Sequence, residues 1–234
     1  MVGNAEIFPA CFQQMSALQV SLDGRSFNPQ RIFCIGKNYD EHVKELGGKT
    51  PEEPVVFMKP VSSIVSPGGT LRMPSHGRLL HHEVEVVLLI GREGRDIPEA
   101  DALSYIAGVT IGLDLTLRDV QGRLKKAGLP WELSKAFEQS APLGHFKTFN
   151  ADAIDMENIS FTCSVNGECR QKGNTRDMLF PVRSLIHTLS RWWTLQPGDI
   201  IFTGTPSGVG PLNAGDRVGI ESPLTGPFFW TFSS

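Results

Sequence analysis

No stretch of this 234-residue chain approaches the roughly twenty consecutive apolar residues that cross a bilayer as a helix. The opening MVGNAEIFPACFQQM has neither the charged start nor the apolar centre of a secretory leader. The expected compartment is therefore the cytoplasm, with no membrane partner. Charge of one sign is not in excess either. A formal net charge of −3 argues against a dedicated nucleic-acid surface, and the densest basic run, Arg123 to Lys126, reads most simply as a solvated helix face. Cysteine is scarce: Cys11, Cys34, Cys163 and Cys169 form no C-x-x-C pair, which suits reduced structural thiols better than disulfides or a zinc knuckle. Three familiar signatures are missing as well. His82-Glu83 would open an H-E-x-x-H zinc site, but Val86 stands at the second histidine position; GTPSGVG at 204–210 lacks dinucleotide-loop spacing; and no phosphate-loop G-K-[ST] occurs.

What the chain does have is enough apolar material for one well-packed domain, with 40% hydrophobic and 20% charged residues. Its 24 Gly and 16 Pro punctuate many short apolar runs, the pattern of a strand-rich fold with numerous turns. Strands are expected near Ile32–Ile35, Val55–Met58, Glu83–Ile90, Ile106–Leu113, Ile159–Val165, Ile200–Thr203, Arg217–Ile220 and Phe228–Phe232. Leu179, Val182, Leu185, Ile186, Leu189, Trp192 and Trp193 recur at helical spacing, giving an amphipathic helix with Pro181 in its first turn and both tryptophans in the core. Shorter helices are expected near Tyr39–Leu46, stopped by Gly47-Gly48, and near Leu115–Ala127.

The richest chemistry lies in LHHEVEVVLLIG. Side chains alternate faces along a strand, so Glu83 and Glu85 share one face while Val84 and Val86 take the other. Two buried carboxylates at that distance repel and are costly to desolvate unless a cation or a base neutralises them, and Arg78 is the only Lys or Arg between Gly77 and Gly91. Asp114 closes a second apolar run thirty residues on. Three carboxylates with no thiolate or paired imidazole suit Mg²⁺, Mn²⁺ or Ca²⁺ better than zinc. The same residues would also serve as a solvated strand face with Asp114 as a helix cap. His81 and His82 face opposite ways, so at most one can reach these carboxylates.

Around this group stand weaker candidates. In GKNYDEHVKELGG, His42 and Glu45 share a helix face, so the carboxylate could hold one imidazole nitrogen and leave the other as a base, on a lid made mobile by Gly47-Gly48; an ordinary surface pair would look the same. A helix starting at Asp114 would align Asp114, Arg118 and Gln121 on one stripe, with Arg118 suited to clamp a carboxylate. Lys135 and the turn TGTPSGVG, with Thr203 and Thr205, complete the set; a solvated lysine and a plain turn are the simpler readings of each.

Taken in order, IFCIGKNYDEHVKE, EEPVVFMKP, LHHEVEVVLLIG, GLDLTLRDVQ, KKAGLPWELSKAF, VNGECRQ and GDIIFTGTPSGVGPL resemble the fumarylacetoacetate hydrolase family over roughly residues 31–212, within it the short acylpyruvase and oxaloacetate decarboxylase-like members. The resemblance implies a β-rich α+β fold, a mixed β-sheet roll with a few helices, formed by residues 31–234 with residues 1–30 packed on it as an extension, and usually a homodimer. It implies Mg²⁺ or Mn²⁺ on Glu83, Glu85 and Asp114, a His42–Glu45 lid dyad with Lys135 as a further catalytic group, and substrate contacts from Arg118, Gln121 and Thr205. The expected reaction is metal-dependent C–C cleavage of a small 2-oxo or 2,4-dioxo acid through a pyruvate enolate, as an acylpyruvate hydrolase or oxaloacetate decarboxylase. An oxaloacetate keto–enol tautomerase, an isomerase, decarboxylase or hydratase of 2-hydroxymuconate-type diacids, and a silent oxo-acid or metal binder are the alternatives. Lys37 stands where some mammalian-type members have Arg, which leaves the substrate range open.

Overall fold

The structure, a computed structural model, describes residues 19–234. Its centre is a six-stranded mixed sheet in the order Lys147–Thr148, Ile106–Leu113, Val84–Ile90, Ile200–Phe202, Ile32–Gly36, Val55–Lys59, antiparallel except where Ile200–Phe202 runs parallel to Ile32–Gly36. A five-stranded sheet, ordered Glu168–Asn174, Ser160–Val165, Arg217–Glu221, Phe228–Ser233, Thr70–Arg72, forms the second wall. This is the β-rich α+β roll anticipated from the sequence.

The strand Val84–Ile90 shows how the sequence builds the site. All seven residues are buried, and the period of two divides them between two cores: Val84, Val86, Leu88 and Ile90 join the larger apolar cluster, Val87 and Leu89 the smaller. Glu85 is on the second face. Six buried apolar side chains at roughly 1.5–3 kcal/mol each stabilise the strand by on the order of 10 kcal/mol, more than the several kcal/mol that desolvating one carboxylate costs. Directly opposite Glu85 lies Gly112, where an added Cβ would come within 3.0 Å of Phe202 and of the Pro142 carbonyl.

The eight expected strands are present, with no end shifted by more than one residue. Ten further strands among the described residues were not expected, and Glu168–Asn174, at seven residues, is the longest of them. It is polar, burying Gln171 and Asn174 but little else, so its composition carried no strand signal. Its turn does: Asn166 and Gly167 at φ 54° and 85° make the two-residue reversal that right-twisted hairpins favour.

The helix Val182–Trp192 buries Val182, Leu185, Ile186 and Leu189 as its spacing predicts, with Pro181 just before the helix instead of in its first turn. Trp192 is not in the core; 42% of it is exposed. The chain turns to an extended conformation at Trp193, whose ring packs on Phe33 at 5.2 Å and leaves Trp192 edge-on at the rim. The helix expected from Leu115 begins at Arg118, because Thr116–Leu117 pairs as a short strand with Leu80–His82. Asp114 therefore precedes the helix and does not share its stripe.

Of the N-terminal extension, residues 1–18, including Cys11, lie outside the described residues. Val20–Leu22 and Arg25–Phe27 pair as a hairpin whose Val20 and Leu22 are buried in the smaller cluster. Among the described residues no helix is long and apolar enough to cross a membrane.

Candidate active site

Glu83, Glu85 and Asp114 converge. Each offers an oxygen within 4.8 Å of the others', and all three residues are buried. Backbone pairing sets this up: Glu85 lies opposite Gly112, and the Asp114 N–H donates to the Glu83 carbonyl at 2.8 Å.

The nearby cations come from distant parts of the chain. Lys135 Nζ donates to Glu83 Oε2 at 2.8 Å, to Asp114 Oδ2 at 2.5 Å and to Thr116 Oγ1 at 2.6 Å. It is buried, not the solvated lysine its isolation in sequence suggested. Arg118 pairs with Glu83 Oε1 and donates to Gln121 Oε1 at 2.8 Å, so these two do share the first turns of their helix. The unanticipated member is Lys59, at the end of the strand Val55–Lys59. Its Nζ lies 2.8 Å from Asp114 Oδ1 and donates to the carbonyls of Leu115 and Lys135. A lysine closing an apolar run in VVFMKP was the available signal.

These contacts leave two of the carboxylates incompletely satisfied. The approach of Lys59 to Asp114 Oδ1 lacks hydrogen-bond alignment, so that buried oxygen has no donor. Glu85 accepts only from the Gly204 N–H, at 2.7 Å, and has no cationic partner among the described residues. Burial and the adjacent carboxylates of Asp114 and Glu83 accordingly push its carboxyl well up. For Glu83 burial also works upward, but Lys135 and Arg118 overrule it and hold the group well below the usual carboxylate range. Against its burial, Asp114 and Glu83 hold the Lys135 ammonium above its ordinary value. A buried oxygen without a donor, beside a carboxylate without a counter-charge, fits a seat for a hard divalent cation.

His42 and Glu45 occupy the short helix Asp40–Glu45 over the same cleft. His42 Nδ1 lies 3.1 Å from Glu45 Oε2; since a carboxylate only accepts, Nδ1 carries the proton and Nε2 keeps its lone pair. Burial lowers the His42 pKa below 6.5, opposed by Glu83 and Glu45, which favours the neutral ring. The helix is tied down on both sides. Gly208 N–H donates to Glu45 Oε1 at 3.0 Å, and Asn38, just before the helix, exchanges hydrogen bonds with Phe180 and donates to the Thr203 carbonyl at 2.8 Å. Gly204, at φ 105°, must be glycine: a Cβ there would meet Asn38 Cβ at 2.6 Å.

Thr205 lines the cleft, but its hydroxyl donates to the Val84 carbonyl at 2.9 Å and accepts from Gln171 Nε2 at 2.8 Å. Gln171 also faces His82 Nδ1 at 2.9 Å, turning that imidazole away from the carboxylates. Burial and the Arg118 charge push His81 down to about 4. The Arg123–Lys126 run is only partly a solvated face, because Lys125 lines the cleft with Lys37 and Trp131. The cavity among these residues is about 30 Å³, room for at least a water molecule.

The model of the fumarylacetoacetate (FAA) hydrolase C-terminal domain matches residues 31–228. Over 188 residues the chain is 46% identical to an oxaloacetate tautomerase of Escherichia coli, covering 80% of this chain and 86% of that protein. It is 44% identical over 191 residues to a mitochondrial oxaloacetate decarboxylase of Dictyostelium discoideum, covering 81% and 87%. Among solved structures, a fumarylpyruvate hydrolase from Pseudomonas aeruginosa in complex with Mn²⁺ and pyruvate superposes with a TM-score of 0.88 at 33% identity, over 98% of this chain and 99% of that one. The chain belongs to the fumarylacetoacetate hydrolase family.

Proposed function

We propose that the protein is a Mg²⁺- or Mn²⁺-dependent enzyme that cleaves a C–C bond in a small 2-oxo or 2,4-dioxo acid, releasing a pyruvate enolate, as an acylpyruvate hydrolase, an oxaloacetate decarboxylase, or both. The observation that carries this reading is the buried group Glu83, Glu85 and Asp114, with Asp114 Oδ1 lacking a donor, Glu85 lacking a counter-charge and a neutral His42 lining the same cleft. The decarboxylase activity named for the Dictyostelium discoideum relative and the hydrolase activity named for the Pseudomonas aeruginosa structure support it.

Glu83, Glu85 and Asp114 would hold the cation. When bound, it supplies Lewis-acid stabilisation of the negative charge that develops on the keto oxygen of the substrate. The Arg118 guanidinium, once it leaves Glu83, is placed to pair with the substrate carboxylate, with the Gln121 amide beside it. Lys135 is a fixed cation that favours the enolate over the neutral ketone. His42 Nε2 takes a proton from water for attack on the distal carbonyl of an acylpyruvate, while Glu45 steadies the resulting imidazolium. Decarboxylation of oxaloacetate reaches the same enolate without that water.

A tautomerase is the second reading, favoured by the name of the E. coli relative. It needs only a proton moved at C3, which the His42–Glu45 pair could carry. Under either reading the chain acts as a homodimer, for which light scattering should give twice the mass of the chain.

The deciding experiment measures pyruvate release from acetylpyruvate and from oxaloacetate, with Mg²⁺ and then with excess chelator, using Glu83→Ala as the blank. Metal-dependent release absent from the variant establishes C–C cleavage, and the ratio of rates assigns hydrolase or decarboxylase. No release, with metal-dependent loss of the enol absorbance of oxaloacetate, assigns the tautomerase. If neither activity rises above the blank, this reading fails, and muconate-type diacids become the substrates to test.

A further inference from the structure

Two cations in the cleft have no part in the chemistry above. Lys37 and Lys125 line the same cavity as Glu83, Arg118, Gln121 and Lys135, and among the described residues neither forms an ion pair with a carboxylate. Lys37 makes one long contact, Nζ to the Lys49 carbonyl at 3.5 Å. Lys125 Nζ sits 4.9 Å from the centre of the Trp131 ring.

Both are anchored through the backbone. Lys37 is a non-glycine residue at φ 61°, a conformation that costs roughly 1 kcal/mol and is kept because Asn38 is clamped to Phe180 and Thr203. Lys125 is in the last turn of its helix, which Gly128 closes at φ 67°. Trp131 locates both: a Cβ on Gly36 would meet its ring at 3.3 Å, so the backbone beside Lys37 packs on the indole that also carries Lys125.

Partial burial, then Arg118 and Lys135, lower the Lys125 ammonium to about 8; Lys37 adds to the effect and Glu83 opposes it. At pH 7 it is still mostly charged, as a group one unit below its pKa is about nine-tenths protonated. Like charges lining one cleft without carboxylate partners favour an anion there.

We propose that Lys37 and Lys125 form an anion subsite in the cleft that takes the far carboxylate of a 2-oxo diacid, so that the protein selects dicarboxylic over monocarboxylic 2-oxo acids. This rests on the proposed function, since the near end of the substrate must sit at Arg118 and the three carboxylates. The two lysines are specificity determinants and touch none of the reacting atoms.

The test reads binding without turnover. Calorimetric titrations of Mn²⁺-loaded protein with 2-oxoglutarate and with pyruvate compare a diacid and a monoacid that share the same reactive end. The diacid should bind about tenfold more tightly or better, as expected for a charge-assisted contact. Lys125→Met and Lys37→Met should each weaken 2-oxoglutarate by about five- to tenfold while pyruvate changes by less than about twofold, and Lys→Arg at either position should restore most of the loss. In turnover the same variants should raise KM for oxaloacetate and leave kcat and the KM for acetylpyruvate nearly unchanged. Equal weakening of both ligands would make the lysines general supports of the cleft and overturn the subsite, as would a diacid that binds no better than pyruvate and ignores both variants. If the folded wild-type protein binds neither acid, the functional reading falls and the subsite with it.

Discussion

Glu45 and Gly208, far apart in the chain, are joined by one hydrogen bond, Gly208 N–H to Glu45 Oε1 at 3.0 Å. The other oxygen of that carboxylate faces His42 Nδ1 at 3.1 Å. The Gly-rich turn therefore fixes the carboxylate, and the carboxylate fixes which imidazole nitrogen is the base. His42→Ala should lower acylpyruvate hydrolysis by about 10²–10⁴-fold and oxaloacetate decarboxylation by less than about tenfold, measured as kcat on each substrate. Equal losses would mean that His42 does not serve the water step.

The pH profile follows from the same pair. Burial holds the folded-state pKa of His42 below its ordinary 6.5, so the base form persists to lower pH than in a free imidazole. The acid limb of kcat/KM for hydrolysis should fall below pH 6.5. The sign for stability agrees: below that pH the unfolded chain binds the proton more readily, so the contribution of His42 to folding stability declines as pH drops from 6.5 toward the folded pKa. An acid limb at or above 6.5 would contradict a buried neutral base.

Metal binding can be tested apart from activity. Glu83→Ala and Asp114→Ala should each remove most of the Mn²⁺ bound in equilibrium dialysis and abolish turnover, because two carboxylates cannot replace three in a buried seat. Retained Mn²⁺ in both variants would place the ion elsewhere.

Lys59 gives a stability prediction. Its side chain is fully buried, 2.8 Å from Asp114 Oδ1, and its removal leaves an anion with one cation fewer and the Leu115 and Lys135 carbonyls each with one donor fewer. Lys59→Met should cost about 3–5 kcal/mol in urea unfolding, the usual penalty for breaking a buried pair from one side. A change under about 1 kcal/mol would show that the ion pair contributes nothing net.

Thiol labelling separates the cysteines. Burial raises Cys163 to about 12 and Cys34 well above the usual thiol range, whereas Cys169 is exposed. At pH 8 a thiol with a pKa near 12 is roughly one part in ten thousand thiolate. Among these three, iodoacetamide should modify Cys169 in the native protein and reach Cys34 and Cys163 only after unfolding, as peptide mass mapping would show.

Local periodicity by itself determined the main strands, the amphipathic helix over Val182–Trp192, the shared face of Glu83 and Glu85, and the one-turn pairing of His42 with Glu45. Each depends on positions within a few residues, where backbone geometry alone decides which way side chains point. Tertiary structure decided the rest. Arg78 was the only Lys or Arg near Glu83 and Glu85 in sequence, yet Lys59, Arg118 and Lys135 neutralise Glu83 and Asp114, brought there by sheet pairing and by the helices Arg118–Ala127 and Glu132–Lys135. No local pattern reports a long-range pairing, which is why the polar strand Glu168–Asn174 escaped notice although its Asn-Gly turn was legible. For the same reason Lys125, one residue in a basic run, became part of the cleft only when Trp131 packed beneath it. The residue types required for chemistry are written locally; the charge balance that makes them a site exists only after folding, because it is set by which distant groups are buried together.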